Sequence, residues 1–227
     1  MSMQKRISVP KTYNVKRKSY TWITKASPGP HDKTALTITV LMRDILGVAK
    51  DTKELKKILN NGELLVDGKI RKDIRFPVGF MDVVSVPKSK LYYRVSYDHL
   101  GRFNCKSIKE KETGLKLVSI KNKIRQGSMY QITTNDGRSI NVKLTEGKKL
   151  ATNDSLLIKV PSQEIVKHLE FKNGSKAFII GGKHVGQIAT IKESKEDGVV
   201  ITIDKNDYKT IKNYVFVIGE NKEELSI

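Results

Sequence analysis

Apolar residues recur along this chain with two different periods, and the switches between them mark its elements. In "TALTITVLMRDIL" (34–46), Leu36, Ile38 and Val40 alternate with threonines as in a strand. Ile38, Leu41, Met42 and Ile45 recur at i, i+3, i+4 and i+7 as on one helix face. Length and the stop at Gly47 predict a helix over about 36–46. Leu55, Ile58 and Leu59 make a second helical stripe that stops at "NNG". Asp51, with Glu54 three residues on, resembles a capping box in which Asp replaces the usual Ser or Thr. A short helix over about 53–60 is expected. "ELLVDGKIRKDIRFPVGFMDVVSV" (63–86) follows, with apolar runs at Leu64–Val66 and Val83–Val86 that read as strands and a turn signal at Asp67-Gly68.

From 91 to 170 the period is two. "LYYRVSY", "KLVSIKNKI", "MYQITT", "SINVKL" and "SLLIKV" read as short strands, with turns at His99-Leu100-Gly101, Asn135-Asp136-Gly137 and Glu146-Gly147. Spacing of this kind points to a small sheet or barrel rather than a nucleotide-binding α/β unit. Lys121, Lys123 and Arg125 alternate, so in a strand they line one face, which suits solvent and RNA equally. In "NGSKAFIIGGKHVGQIATIKE" (173–193), apolar alternation surrounds a glycine-rich turn.

Charge changes the picture. The 227 residues hold 43 Lys+Arg against 24 Asp+Glu, a formal net charge of +19. That excess repels itself unless an anion offsets it, so a polyanionic partner is expected. Residues 1–33 carry eight basic side chains against one acidic, whereas 171–227 are nearly balanced. The first segment also holds Pro10, Pro28 and Pro30, the cluster Lys16-Arg17-Lys18, and Tyr13, Tyr20 and Trp22 among the cations. Cations interleaved with planar rings suit RNA phosphates and unstacked bases, so this segment reads as a basic arm that orders on binding. Behind the turn at Gly68 stand Lys69, Arg71, Lys72 and Arg75. A turn needs the glycine but none of these four cations. With Arg43 and with Lys53, Lys56 and Lys57 on the polar side of the second helix, they form a candidate phosphate-binding surface.

Several classes are disfavoured. Cys105 is the only cysteine, so a disulfide-stapled secreted fold is excluded and a reducing cytoplasm fits. No apolar stretch approaches the roughly 20 residues needed to span a bilayer, and the basic N-terminus lacks the apolar core of a secretory signal. The four histidines are scattered without metal-ligand spacing. "GGKH" (181–184) lacks the first glycine and the Ser/Thr of a phosphate-binding Walker loop. A lone strand cysteine is a small buried hydrophobe far more often than a nucleophile. No catalytic residue, metal or cofactor is expected, and no membrane or small-molecule substrate.

Helix, helix, "LLVDGK" and "GFMDVVSV" together resemble the S-four-type RNA-binding domain. In the generic domain a Gly-Asp pair precedes the last strand, whereas Phe80-Met81 separates Gly79 from Asp82 here. "FPVGFMDVVSV" is similar to one branch in particular, the archaeal and eukaryotic small-subunit ribosomal family S-four-e. The likeness continues through "SPGPHDK" (27–33), "YDHLGRF" (97–103), "FIIGGKHVGQIATI" (178–191) and "NYVFVIG" (213–219), covering roughly residues 5 to 220. The start departs from the family in being shorter, and the long basic tail of its eukaryotic members is absent, which favours an archaeal-type chain. The glycine-rich turn resembles the KOW motif, in which Gly181, Gly182 and Gly186 permit close backbone approach and Lys183 and His184 stand at the tip.

The resemblance implies an α+β multidomain chain. Its parts are a basic arm (1–33), a small helix–helix–hairpin RNA-binding domain (34–90), a β-rich central domain (91–170) and a small KOW β-barrel (171–227). It further implies a structural constituent of the small ribosomal subunit in the cytoplasm, bound to small-subunit rRNA and neighbouring ribosomal proteins. Two alternatives stay open. One is a KOW-bearing assembly or transcription elongation factor. The other is an RNA-modifying enzyme, disfavoured because "GRFN" (101–104) offers Asn104 where a pseudouridine synthase carries its catalytic Asp.

Overall fold

A computed structural model of the protein describes residues 3–31, 35–195, 198–204, 206–220 and 222–227; the Asp32-Lys33 end of "SPGPHDK" lies outside them. The chain divides into two compact units. The first comprises residues 1–97, 102–114 and Ile227, and the second 98–101 and 115–226. It is a multidomain, β-rich chain with few helices.

The first unit is organised by an antiparallel five-stranded sheet in the order Lys69–Ile70, Leu65–Val66, Val83–Val86, Leu91–Tyr97, Phe103–Ser107. Val83 to Val86 pair with Arg94 to Leu91, so this sheet continues past residue 90. Asp67-Gly68 is a two-residue hairpin loop closed by the Val66–Lys69 pair, with φ of 50° and 72°. Positive φ at both positions is the geometry whose twist matches the flanking strands. The helix Thr52–Asn60 buries Leu55 and Leu59. Its expected capping box does not form: the Asp51 side chain caps nothing, and Glu54 Oε2 accepts from the Lys50 N–H at 2.8 Å, one residue before the N-cap, rather than from Asp51.

The helix expected over 36–46 proves composite, because both of its sequence periods are used. Leu36–Thr37 is a strand paired with Pro77–Val78. The Thr37 hydroxyl then accepts from the Val40 N–H and caps a single α-turn, Ile38–Val40. A π-helical turn, Leu41–Ile45, follows, with Leu46 N–H donating to the Leu41 carbonyl. Leu36, Ile38, Leu41 and Met42 are all buried in a core shared with Leu55, Leu59, Leu64 and Phe103.

The N-terminal segment is packed rather than loose. Met3–Lys5 pairs with Trp22–Thr24, Val9 and Ile23 enter the core, and the Phe103 N–H donates to the Thr12 carbonyl. At its far end, His31 is buried with its Nε2 2.8 Å from Asp82 Oδ1, and Asp82 Oδ2 accepts from the Gly79 N–H at 2.9 Å. The His31 ring packs against Gly79, where an added methyl carbon would stand 2.2 Å from the ring Cγ.

The second unit holds two antiparallel five-stranded sheets. One runs Ser139–Lys143, Met129–Thr134, Leu115–Gln126, Ser155–Lys159, Ile165–Leu169; the other runs Asn206–Thr210, Gly198–Ile203, Ile188–Lys195, Lys176–Ile179, Val215–Gly219. Val118, Ile120, Ile132, Ile140, Leu156 and Ile158 form the core of the first sheet. The "NDG" turn joins Met129–Thr134 to Ser139–Lys143, as its sequence predicts. Its Asp136 is 2% exposed, 2.9 Å from the buried Lys116 Nζ and 2.7 Å from Arg138 Nε, and it also accepts from the Thr134 hydroxyl. Burial raises the carboxyl pKa, but Lys116, Thr134 and Arg138 outweigh it and hold the pKa at about 2. At Glu146-Gly147 the expected turn is instead the end of a one-turn helix, Leu144–Gly147, where Gly147 packs against the Tyr130 ring.

Gly79→Ala forces the His31 ring off Asp82 and destabilises by at least about 2 kcal/mol, measured by urea unfolding. Gly114→Ala, where an added methyl meets nothing within 4 Å, serves as the neutral comparison. Asp136 titrates lower in the folded chain than in the unfolded one. Its stabilisation is therefore complete above about pH 4 and disappears as pH falls through about 2, a loss of roughly 2 kcal/mol. Replacing the pair as Lys116→Met with Asp136→Asn removes that acid limb from a pH series of urea midpoints, whereas an unchanged limb contradicts the assignment.

Candidate nucleic-acid interface

The helix Thr52–Asn60 turns its apolar stripe inward, which leaves Lys53, Lys56 and Lys57 exposed. Its C-terminal end meets the hairpin, since a Cβ at Gly62 would stand 3.5 Å from Ile70. Lys69, Lys72 and Arg75 are exposed, and the Arg75 guanidinium stands a long 4.0 Å from Asp73. Arg71 differs. Its guanidinium lies 4.2 Å above the Phe76 ring, its N–H donates to the Leu64 carbonyl, and its Nε is buried without a hydrogen-bond partner. Of the four cations behind the turn, three are exposed and Arg71 packs the hairpin against Phe76.

Among the arm cations, Lys16 and Lys18 are exposed, whereas Arg17 is half-buried with Nη1 3.3 Å from the Ile7 carbonyl. Arg43 sits beside Lys16 at the rim of one cleft, with its Nη2 2.9 Å from Asp44 and Nη1 donating to the Thr52 hydroxyl. Sequence reasoning missed Arg6 in that cleft, a cation only 2% exposed. Nothing in "QKRISVP" separates it from the other arm cations, because its burial is set by the distant Asp44.

In the second unit the glycine-rich loop joins Lys176–Ile179 to Ile188–Lys195. Gly182 and Gly186 have φ of 89° and 80°, and Gly186 abuts the Asp98 carbonyl too closely for any side chain. Gly181 lies against the Tyr214 ring. Lys183 is exposed, whereas the His184 ring packs tilted against Tyr208, with centroids 4.1 Å apart, and is half-buried. Lys123 donates to the Leu150 carbonyl and lies over Tyr130, and a register shift between Ile120 and Asn122 breaks the alternation expected for Lys121, Lys123 and Arg125.

Burial pushes the Cys105 thiol pKa up to about 12, so it is protonated and unreactive near neutrality. Among the described residues no His/Cys/Asp/Glu group could hold a metal, and no helix is long and apolar enough to cross a membrane. The fold and its surfaces define a basic, β-rich, multidomain protein.

Comparison with known proteins makes this specific. The model described as "Ribosomal family S4e" matches residues 89–165, and the RS4NT (NUC023) domain matches residues 3–34. The chain is 40% identical over 228 residues to small ribosomal subunit protein eS4 of Archaeoglobus fulgidus, covering 97% of this chain and 94% of the relative. It is 38% identical to the Methanosphaera stadtmanae eS4, covering 98% and 94%. The crystal structure of the 30S ribosomal protein S4e from Thermoplasma acidophilum superposes with a TM-score of 0.71 at 32% identity, over 82% of this chain and 96% of that one. This protein belongs to ribosomal family S4e. It is therefore a structural constituent of the small ribosomal subunit, in the cytoplasm, and not an enzyme.

Proposed function

We propose that the protein holds small-subunit rRNA mainly through its first unit, with residues 34–90 acting as an S-four-type RNA-binding domain. The observation that carries this is the meeting of two exposed cationic elements: Lys53, Lys56 and Lys57 on one helix, and Lys69, Lys72 and Arg75 just beyond the hairpin turn. Lys and Arg there neutralise phosphates and release counterions. A deep A-form groove hides base edges, so shape supplies the specificity. Lys16, Arg17, Lys18 and Arg43 extend the surface along the arm. Arg71 acts through Phe76 by fixing the hairpin.

In this reading residues 171–227 form a KOW-type barrel beyond a β-rich central domain. The loop with Gly181, Gly182, Lys183, His184 and Gly186 meets rRNA or a neighbouring ribosomal protein. The near balance of charge in that segment supports a mixed interface less governed by Coulomb attraction.

Replacing Lys69, Lys72 and Arg75 with Ala together weakens binding to small-subunit rRNA. It also reduces the slope of log K against log salt by about 0.9 for each phosphate that is no longer neutralised. Arg71→Ala instead lowers the unfolding midpoint. Unchanged affinity and slope in the triple variant, measured by equilibrium titration, leaves those cations as solvated surface and removes the hairpin from the interface.

A further inference from the structure

The N-terminal segment folds back on the first unit so that Arg6, Lys16 and Tyr20 face Arg43 and Asp44 across an open cleft of about 690 Å³. Arg6 is the centre of this arrangement. Its Nε donates to the Lys16 carbonyl at 2.7 Å, and its Nη2 lies 3.3 Å from Asp44 Oδ1. Its Nη1 is buried and has no hydrogen-bond partner. Arg43 reaches the same carboxylate from the other side, with Nη2 2.9 Å from Oδ2 and Nε 3.4 Å from Oδ1. One carboxylate thus serves two guanidinium groups, and the exposed Lys16 ammonium adds a third positive charge at the rim.

Asp44 cannot balance that set, but it can align it. By holding both forks at one edge it pre-orients planar donors for an acceptor that has several oxygens and more than one direction of approach. A phosphate group meets that description, because it takes guanidinium donors in pairs and tolerates a neighbouring lysine as a point charge. A cation is excluded by the sign of the lining, in which Arg6, Lys16, Arg43 and Arg102 outnumber Asp44. The Tyr20 ring, 71% exposed and 5.7 Å above the Arg6 guanidinium, adds a planar wall of the kind on which RNA bases stack.

We infer that this cleft is a phosphate site for the backbone of small-subunit rRNA, formed by Arg6, Lys16 and Arg43 with Asp44 as the aligning group. The site deepens the rRNA-binding reading and rests on it. It also gives the arm a definite task. Arg6 and Lys16 come from the arm and Arg43 from the π-helical turn, so one bound phosphate joins the two segments.

The test uses the full chain and ethylation interference on small-subunit rRNA. Lys16→Ala is clean, because Arg6 uses only the backbone carbonyl of Lys16. Arg43→Gln is the second variant and leaves Asp44 paired with Arg6. Each should bind rRNA roughly tenfold more weakly and lower the salt slope by about one, and Lys16→Ala should do so with the wild-type unfolding midpoint. Lys111→Ala, an exposed cation of the same unit outside the cleft, should change neither. The unaltered protein should show a backbone position where ethylation blocks binding. Both cleft variants should lose that interference, while the hairpin variant keeps it. Identical interference patterns in wild type and both variants would overturn the site. Calorimetry with inorganic phosphate at constant ionic strength separates the sources. Phosphate binding that both variants abolish while their rRNA affinity stays intact would make the cleft a free-anion site and overturn the proposal. If the unaltered protein shows no preference for small-subunit rRNA, the functional reading itself fails, a result distinct from the others.

Discussion

Buried carboxylates hold the turns of both units, and the charge of the surface follows from where they sit. Asp67 exchanges hydrogen bonds with the Val83 backbone, so the hairpin loop is locked to the next strand. Asp82 gathers the Gly79 N–H and His31. Asp136 gathers Lys116, Arg138 and Thr134. Asp154 accepts from the Ala151 and Phe171 N–H groups and lies 2.7 Å from His168 Nε2. A carboxylate can be buried only when its oxygens are filled in this way. With 24 acids against 43 bases, each acid turned inward leaves the outside more positive unless a cation goes in with it. The stabilising interactions and the attraction for RNA are thus parts of one distribution of charge.

The cations divide by what surrounds them. Arg94 is fully buried and ion-paired to Glu112; burial lowers its pKa and Glu112 opposes that shift. Lys116 is equally internal, paired with Asp136. Arg71 lies on an aromatic ring. Lys53, Lys56, Lys57, Lys69 and Lys72 are exposed on short, well-anchored elements. A count of basic residues therefore overstates the interface, and burial identifies the cations that serve the fold instead.

Legibility followed how local each determinant is. The helix at 52–60, the Asp67-Gly68 hairpin and the "NDG" hairpin were readable because a short stripe or a turn needing positive φ decides them. The 36–46 segment carried two periods at once. Only its pairing with Pro77–Val78 decides that residues 36 and 37 are strand before the helical turns begin. Proline and charge made the first thirty residues look loose, yet Val9 and Ile23 tie them to a core assembled from residues 36 to 103. Of the sites, the exposed lysines were visible in the sequence, whereas Arg6 depends on Asp44, 38 positions away, and no local pattern marks it.

The most direct test is an equilibrium titration of the unaltered protein against small-subunit rRNA and an unrelated structured RNA of equal length, across a salt series. Engagement of about six to ten phosphates predicts a loss of roughly 10³ to 10⁵ in affinity between 50 and 200 mM salt, with the preference for the ribosomal RNA persisting throughout. Equal affinity for both RNAs with the same slope would contradict a site-specific ribosomal role, leaving a basic surface that attracts any polyanion.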